Sequence, residues 1–516
     1  MTAIAHAPPS LDGPPRGAPA PTAWGLRLAT GLAGILLAAV MSGLNNRVGS
    51  LGLADVAGAR GMSADTAHWF GSAYAAAELA AMPIAPWFAG TFSLRRLHLG
   101  ASAVFIICAL LLPLAPNPPW FFALRTLQGF AGGVLIPLLM SAALRFLPPS
   151  IKLHGFGLYA LTATFAPNLA TWLAASWMDG AADWRLVYWQ ALPAGLLVLA
   201  AVSWGIPQDP LRLSRLRDLD WLALLTGPAG LVLLALALQE GERLDWLNSP
   251  LIAGMFVSGT ALVVTFLISG WFHHLPFIRL QLLGRLNIGL GIALFIGLLL
   301  VVAVTSLLPV SLLTGVHGFR PQQLMSIGLV ISLPQLVLSP AISALLYWRR
   351  LDARCVAVAG FFLLALAAWL GSGVTSQWMA AQFWLSQACL AVGQPLVLIS
   401  LLFISTGVAA PMEGQFISGL VNMVFTLVRL VGATGAAQLL ESGQAAYVEQ
   451  ISGMAVDLVD LPASGSAMLN RLLPEAVTLA TADIYYLTAL LALALAPLPL
   501  FLTYIPPPAS PRSNED

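Results

Sequence analysis

The most informative stretch of this chain is ALRTLQGFAGGVLIPL, which runs from Ala123 to Leu138. Four of its residues are spaced at i, i+3, i+4 and i+7, so in a helix they share one face: Arg125, Gln128, Gly129 and Gly132. That face combines a cation and an amide with glycines, which let a second helix approach closely. Because most flanking residues are apolar, the pattern predicts a buried arginine at a contact between membrane helices, a position that usually carries function.

The composition around this stretch is that of a membrane protein. Of the 516 residues, 59% are hydrophobic and only 9% are charged, whereas a soluble protein is about 25% charged. The apolar residues form long blocks, and about 14 of them reach the ~20 residues that a helix needs to cross a bilayer. We therefore predict an all-α polytopic membrane protein. The net charge of +1 and the lack of a basic tract give no indication of nucleic-acid binding.

The distribution of arginine predicts the orientation in the membrane. Cations concentrate in alternate connecting segments, for example at Arg95 and Arg96 and again at Arg212, Arg215 and Arg217. The positive-inside rule places such segments in the cytoplasm. We therefore expect a multi-pass protein of the cell inner membrane with both termini cytoplasmic.

An internal repeat predicts the domain organisation. AMPIAPWFAGTFSLRRLHLG (81–100) and VLSPAISALLYWRRLDARCV (337–356) share a helix end with proline, a tight Arg-Arg loop and a new apolar helix. Such repeated halves are typical of transporters. The predicted segments are a disordered cytoplasmic tail (1–22), an N-terminal six-helix half (23–208), an inserted transmembrane helix pair (209–275), a C-terminal six-helix half (276–505) with a periplasmic loop (441–481), and a cytoplasmic tail (506–516).

These motifs resemble those of a known family. LRTLQGFAGG resembles the fourth-helix RxxQG signature of the major facilitator superfamily. The number of spans, the central pair and NMVFTLVRLVGATG (422–435) resemble the 14-helix EmrB/QacA-type drug/proton antiporters. The resemblance implies the major facilitator fold, alternating access, and a role for Arg125 in proton coupling or substrate transfer. It also implies a periplasmic membrane-fusion adaptor and an outer-membrane channel as partners. Alternatively, Arg125 only bonds backbone carbonyls at a helix break.

Three departures from the family pattern concern proton coupling. Asn45 stands where the first helix of the family carries an acidic residue. The fifth-helix GPxxGG pattern corresponds here to ATWLAA (170–175), and the loop after the second helix lacks its acid. Drug/proton antiport therefore does not follow from the resemblance alone.

Glu78, midway along the second span, is the acid that we expect to replace the missing one. Desolvation pushes a buried carboxyl toward its neutral form, whereas a nearby arginine favours the ionised form. Glu78 with Arg47 or Arg125 would form a proton switch, and Asp55 near the outer mouth is a further candidate for proton coupling. A permanent Arg–Glu ion pair that only fixes helix packing is the alternative.

The expected substrate site combines polar faces from both halves. In span 1 the small and polar residues share one face, and a cation on that face suits a carboxylate or another anionic group. In span 13 a polar stripe starts at Ser418 and ends at an arginine. The candidate substrate-binding residues are Arg47, Asn46, Ser50, Asn422, Thr426, Arg429 and Gln394.

Patterns of catalysis and cofactor binding were sought and are missing from the sequence. It contains no GxxxxGK[ST], HExxH or GxSxG, so we expect no enzyme, cofactor or metal site and transport driven by an ion gradient. The resulting prediction is proton-coupled export of small amphiphilic compounds, anionic or aromatic. Two alternatives stay open: an organic-anion or lipid carrier without drug/proton antiport, and, from another class, an intramembrane enzyme or non-transporting sensor.

Overall fold

The computed structural model describes residues 24–148, 150–348, 351–408, 410, 413–458 and 465–506. The predicted tails, apart from Pro506, and the arginine pair at 349–350 lie outside these residues. Within the described ranges the chain is helical and has no strand, which confirms the all-α prediction. Twelve helices are long and apolar enough to cross a membrane. The more polar second and fifth spans bring the number of spanning helices to 14.

The first half contains six spans and a short connecting helix. Pro83 and Pro86 lie where the second span breaks into two helices, since proline removes a backbone donor from the helix. Asn117 caps the fourth span by accepting a hydrogen bond from the amide of Trp120 at 3.1 Å. The helices are α1 (Leu26–Leu51), α2 (Leu53–Ala59), α3 (Ala64–Ala81), α4 (Ala85–Phe92), α5 (Leu94–Leu111), α6 (Pro118–Phe146), α7 (Lys152–Ala175), α8 (Leu186–Trp189) and α9 (Ala191–Gly205).

The inserted pair and the second half follow after a linker. Asp220 begins the pair by accepting from the amide of Ala223 at 2.9 Å and from the hydroxyl of Ser269 at 2.7 Å, which joins the two inserted helices at one end. The helices are α10 (Trp221–Glu240), α11 (Pro250–Phe272), α12 (Leu286–His317), α13 (Pro321–Trp348), α14 (Ala353–Gly371), α15 (Trp384–Gly407), α16 (Gly414–Leu458) and α17 (Gly465–Leu495).

The segment 441–481 is largely helical instead of being a long loop with a short surface helix. At 1.5 Å per residue the 45 residues of α16 measure about 68 Å, roughly twice the hydrocarbon thickness of a bilayer. The extension packs against the start of the next span, where Tyr447 donates to Asp483 at 2.5 Å and Gly443 lies against Ala480. Residues 459–464 within the segment lie outside the described part of the chain.

The two halves contact each other mainly through α7 and α13. Gly157 on α7 lies against Ser339 and Ser343 on α13. The approach is so close that a Cβ at Gly157 would lie 2.4 Å from Oγ of Ser343. Two hydrogen bonds join the halves at the end of the bundle where the arginine-rich linker between α9 and α10 lies. Ser418 donates to the carbonyl of Pro137 at 2.6 Å, and Tyr347 accepts from the amide of Leu153 at 3.0 Å. The two halves are therefore in contact at that end, and a cavity lies between the halves deeper in the bundle.

Candidate functional site

A cavity of about 390 Å³ lies between the two halves. Every predicted site residue except Asp55 lines it, although the roles assigned to these residues stay predictions. Asp55 lies on α2, exposed and outside the cavity. The predicted residues that line the cavity are Arg47, Asn46, Ser50, Glu78, Arg125, Gln394, Asn422, Thr426 and Arg429.

Arg125 contacts residues of three helices. It is 3% exposed, and its Nη1 donates to Oε1 of Gln128, one turn further along α6, at 2.8 Å. The guanidinium lies 4.0 Å from the ring centre of Tyr74 on α3, a cation–π contact. On the α1 side it lies against Gly49, where a Cβ would come within 2.5 Å of Nη2. In the described residues Arg125 has no hydrogen bond to a backbone carbonyl, so the simple helix-break alternative has no support in this conformation.

Gly129, one of the two predicted glycines, and Gly133, which was not predicted, allow α3 to approach α6 closely. A Cβ at Gly129 would lie 2.3 Å from the carbonyl oxygen of Tyr74, and one at Gly133 would lie 2.1 Å from that of Glu78. A larger residue at either position would push the two helices apart. The glycine groove therefore fixes the depth at which the Glu78 side chain enters the cavity.

Glu78 is the acidic residue among the described side chains that line the cavity, and it is 4% exposed. Its Oε2 accepts a hydrogen bond from Nδ2 of Asn46 on α1 at 2.8 Å. Among the described residues neither Arg47 nor Arg125 forms an ion pair with it. The charges that act on its carboxyl come from Arg429 in the second half and from Arg125. A permanent Arg47–Glu78 pair is thus not formed in this conformation.

The second half contributes amides, a hydroxyl and one cation. Asn422 accepts from the hydroxyl of Tyr159 at 2.8 Å, and Thr426 donates to the sulfur of Met82 at 3.1 Å. Both contacts cross from one half to the other. Arg429 is exposed to the cavity, and the carbonyl oxygen of the buried Gln394 side chain has no hydrogen-bond partner among the described residues.

The sequence analysis missed Tyr74, which contacts Arg125 but does not line the cavity, and several residues that do line it. Tyr74 lies one helical turn before Glu78, and its spacing from that acid was a usable signal. Tyr159 and Asn168 lie on α7, and Gln239 lies at the end of α10, in the inserted pair that was not expected to reach the cavity. An isolated glutamine at the end of an otherwise apolar helix was the signal for Gln239.

The family model of the Major Facilitator Superfamily matches residues 35–433. The chain belongs to this superfamily. It is a membrane transporter and not an enzyme.

The relatives of this transporter confirm the predicted resemblance to EmrB-type drug antiporters. It is 25% identical over 330 residues to the fatty acid resistance protein FarB of Neisseria gonorrhoeae, covering 64% of either chain. It is 24% identical over 350 residues to the multidrug export protein EmrB of Haemophilus influenzae, covering 67% of this chain and 66% of that one. It is 25% identical to the probable multidrug resistance protein EmrY of Escherichia coli over 353 residues, 68% of each. The alignments with FarB and EmrB thus span just under two thirds of those relatives.

Solved structures confirm the fold of the transporter. The human organic anion transporter MFSD10 (TETRAN) superposes with a TM-score of 0.54 at 14% identity, covering 91% of this chain and all of that one. The proton:xylose symporter XylE superposes with a TM-score of 0.50 at 12% identity, covering 92% and 97%. At these identities the likeness concerns the fold alone.

Proposed function

We propose that this transporter exports small amphiphilic anions across the inner membrane in exchange for protons, by alternating access around the central cavity. The observation that carries the proposal is the charge of the cavity wall. Arg47 and Arg429 are exposed to the cavity from opposite halves, and each lacks an ion pair among the described residues. Against these two guanidiniums the described wall offers one carboxyl, that of Glu78.

The described wall also includes the buried Arg125, so it stays positively charged when Glu78 is ionised. The two exposed guanidiniums repel each other, and a bound monoanion would relieve this repulsion and accept charge-assisted hydrogen bonds from both. Guanidinium groups suit carboxylate, sulfonate or phosphate heads because their planar fork donates to two oxygens at once. The head group of the substrate is thus expected to be an anion.

The remainder of the wall favours an apolar body on the same molecule. The part contributed by the second half is rich in aliphatic and aromatic side chains, and a volume of about 390 Å³ lies within the range of small-molecule sites. The apolar lining residues of this part include Leu299, Val302, Leu307, Val310 and Phe425.

The charges also suggest how protons are exchanged. With Glu78 ionised and a monoanion bound, two negative charges oppose the two exposed guanidiniums, so the loaded cavity carries less net positive charge than the empty one. After release of the anion, protonation of Glu78 leaves the cavity positively charged, and a membrane potential that is negative inside favours its return. Export is the direction that the name of the relative EmrB, a multidrug export protein, supports.

The proposed orientation follows from the positive-inside rule, with both termini in the cytoplasm. Resemblance to EmrB-type proteins supports a periplasmic adaptor and an outer-membrane channel as partners. A reporter that is active only in the cytoplasm should be active when fused after Arg217, in the linker between α9 and α10, and silent when fused at Gln450 in α16. The reversed pattern would contradict this orientation.

The function is tested with two probes of equal chain length and opposite permanent charge. Purified transporter in vesicles is supplied with dodecanesulfonate or dodecyltrimethylammonium under an imposed proton gradient. We expect transport of the sulfonate and no transport of the ammonium compound. Sulfonate transport should be faster when the proton gradient drives protons in the direction opposite to the movement of the sulfonate. Transport of the ammonium compound alone would overturn the proposal for anions.

An organic-anion carrier without proton exchange is the second candidate. The observation in its favour is Asn45, which stands at the family's acidic position in the first helix and is 1% exposed. In the same vesicles this candidate predicts a rate of sulfonate transport that depends on the membrane potential and does not depend on the proton gradient.

A further inference from the structure

The first inserted helix, α10, fills a gap between the two halves. It packs extensively along α3 of the first half and also contacts α16 of the second half. By contrast, α3 and α16 themselves barely touch. Without α10 the cavity wall between these two helices would be open toward the lipid.

A buried network fastens the end of α10 to α3. Glu240 is 1% exposed, and its Oε1 accepts from the hydroxyl of Ser72 at 2.5 Å. Its Oε2 is 2.7 Å from Nη2 of Arg243, which reaches on to Asp65 at the start of α3, at 3.0 Å. Both oxygens of this buried carboxylate are therefore satisfied. Such full satisfaction is the condition under which a buried charge can hold two helices in one register.

Gln239, next to this carboxylate, points its side chain into the central cavity. Its Nε2 donates to the backbone carbonyl of Ser72 at 3.3 Å, which leaves its second N–H free to bond another group. The neighbouring cavity residues on α3 are Gly71 and Ala75, which are too small to cover the amide. A polar amide thus lies at the surface of a cavity that is also lined by apolar side chains such as Val310 and Leu324.

We propose that α10 is a wall of the transport site, in which Gln239 binds the substrate and Glu240 positions Gln239. The amide extends the anion-binding surface beyond the two arginines by donating a hydrogen bond to the head group or to a neighbouring polar atom of the substrate. Ser72 and Arg243 hold the carboxylate of Glu240, and this carboxylate keeps the end of α10 seated on α3. The inference rests on the proposed transport of amphiphilic anions through this cavity.

Binding of dodecanesulfonate to the purified full-length transporter tests the role of Gln239. Gln239→Ala removes one hydrogen-bond donor, so we expect its Kd to rise by about 5- to 10-fold. The matched control is Gln322→Ala, the same change at an exposed glutamine of α13 that does not line the cavity, and its Kd should equal that of the wild type. Wild-type protein that does not bind the sulfonate contradicts the proposed function. Wild-type protein that binds it as tightly as Gln239→Ala does overturns the inference alone.

The positioning role of Glu240 is tested with Glu240→Gln and with Ser72→Ala. Ser72→Ala removes only the hydroxyl and keeps the carbonyl that Gln239 contacts, so the protein should fold even if Glu240→Gln does not. We expect each change to raise KM for the sulfonate with little effect on turnover, and to add nothing when combined with Gln239→Ala. Additive losses, or reduced turnover at an unchanged KM, would show that the network only stabilises the fold and would overturn its positioning role.

Discussion

The two halves of this transporter share a fold but supply different chemistry to the cavity. The described wall of the first half carries Arg47, Glu78 and Arg125, whereas that of the second half carries one charged residue, Arg429, among amides and apolar side chains. The group that can gain and lose a proton is therefore on one side only. Under the proposed function, the first half would respond to protons and the second half would mainly accommodate the body of the substrate.

The same difference appears where each second span meets its fourth. In the first half, α6 contributes glycines, and the backbone of Glu78 lies against Gly133. Alignment of Pro86 with Pro340 and of the two Arg-Arg pairs places Ser332 of α13 at the position of Glu78. Ser332 is buried, and Gln335, one turn further along, donates to the carbonyl of Ala391 on α15 at 2.7 Å. A buried hydroxyl in the second half thus stands where the first half has a carboxyl that faces the cavity.

The largest effect is expected from Glu78→Gln. Glutamine resembles the protonated acid in shape, so the variant should reach the membrane in normal amounts and lose all acceleration of dodecanesulfonate transport by a proton gradient. Its affinity for the sulfonate should equal or exceed that of the wild type, because the change removes a negative charge near Arg429. The matched control is Glu441→Gln, the same change at an exposed glutamate of α16 outside the cavity, and it should leave proton dependence intact.

A double substitution separates this role from simple neutralisation. If Arg47 and Glu78 only compensate each other, each single change strands a buried charge and lowers abundance. Arg47→Met combined with Glu78→Met would then restore abundance and transport. We expect instead that the double variant reaches the membrane but neither binds the sulfonate tightly nor responds to protons. Normal proton-dependent transport by this variant would remove both residues from the mechanism.

The next largest effect concerns the cation that each half presents to the cavity. Arg47→Ala and Arg429→Ala should each raise the Kd for dodecanesulfonate by about 10- to 100-fold, because each removes a charge-assisted hydrogen bond. The control is Arg217→Ala in the exposed linker. Equal losses would mean that the anion lies between the halves. A loss in only one variant would place the head group against that half, and no loss in either would contradict the anion site.

Arg125→Lys is expected to have a smaller effect, of about 10-fold on the transport rate. Lysine keeps the charge but cannot reproduce the fork that bonds Gln128 and stacks on Tyr74. Abundance and the Kd for the sulfonate should stay near their wild-type values, since Arg125 lies behind the exposed cations. A parallel fall of abundance and transport would show that Arg125 serves packing alone.

Much of this architecture follows from the sequence because polar residues in an apolar helix must face the protein interior. That argument is local, and it correctly brought Arg47 and Glu78 from one half and Asn422 and Arg429 from the other to a single cavity. The helical extension of α16 and the reach of Gln239 into the cavity were not predicted. Both depend on which helix packs beside which, and the hydropathy of a single span carries no information on its neighbours.

Outside the membrane the halves are alike, and this similarity allows a test with a small expected effect. In each half an arginine donates two hydrogen bonds to a carboxylate that is distant in sequence: Arg145 to Asp209 at 2.6 and 2.7 Å, and Arg285 to Glu413 at 2.7 and 2.8 Å. Glu413 also accepts from the amide of Ala410 at 2.9 Å. Partial burial by itself would raise the pKa of Glu413, but these hydrogen bonds and the charge of Arg285 outweigh it and hold that pKa below its usual 4.5.

A carboxyl whose pKa is lower in the folded state than in the unfolded state stabilises the protein at pH values above the unfolded pKa. This contribution is lost as the pH falls through the folded pKa. Glu413→Gln should therefore lower the free energy of unfolding by about 0.5–1 kcal/mol at pH 7, an amount typical of partly exposed pairs. The difference from the wild type should shrink below pH ~4. Asp209→Asn should cost slightly less at pH 7, because Asp209 lacks a comparable amide contact among the described residues. Thermal unfolding of the purified proteins at both pH values measures these differences, and a Glu413→Gln difference that grows on acidification would contradict the assignment.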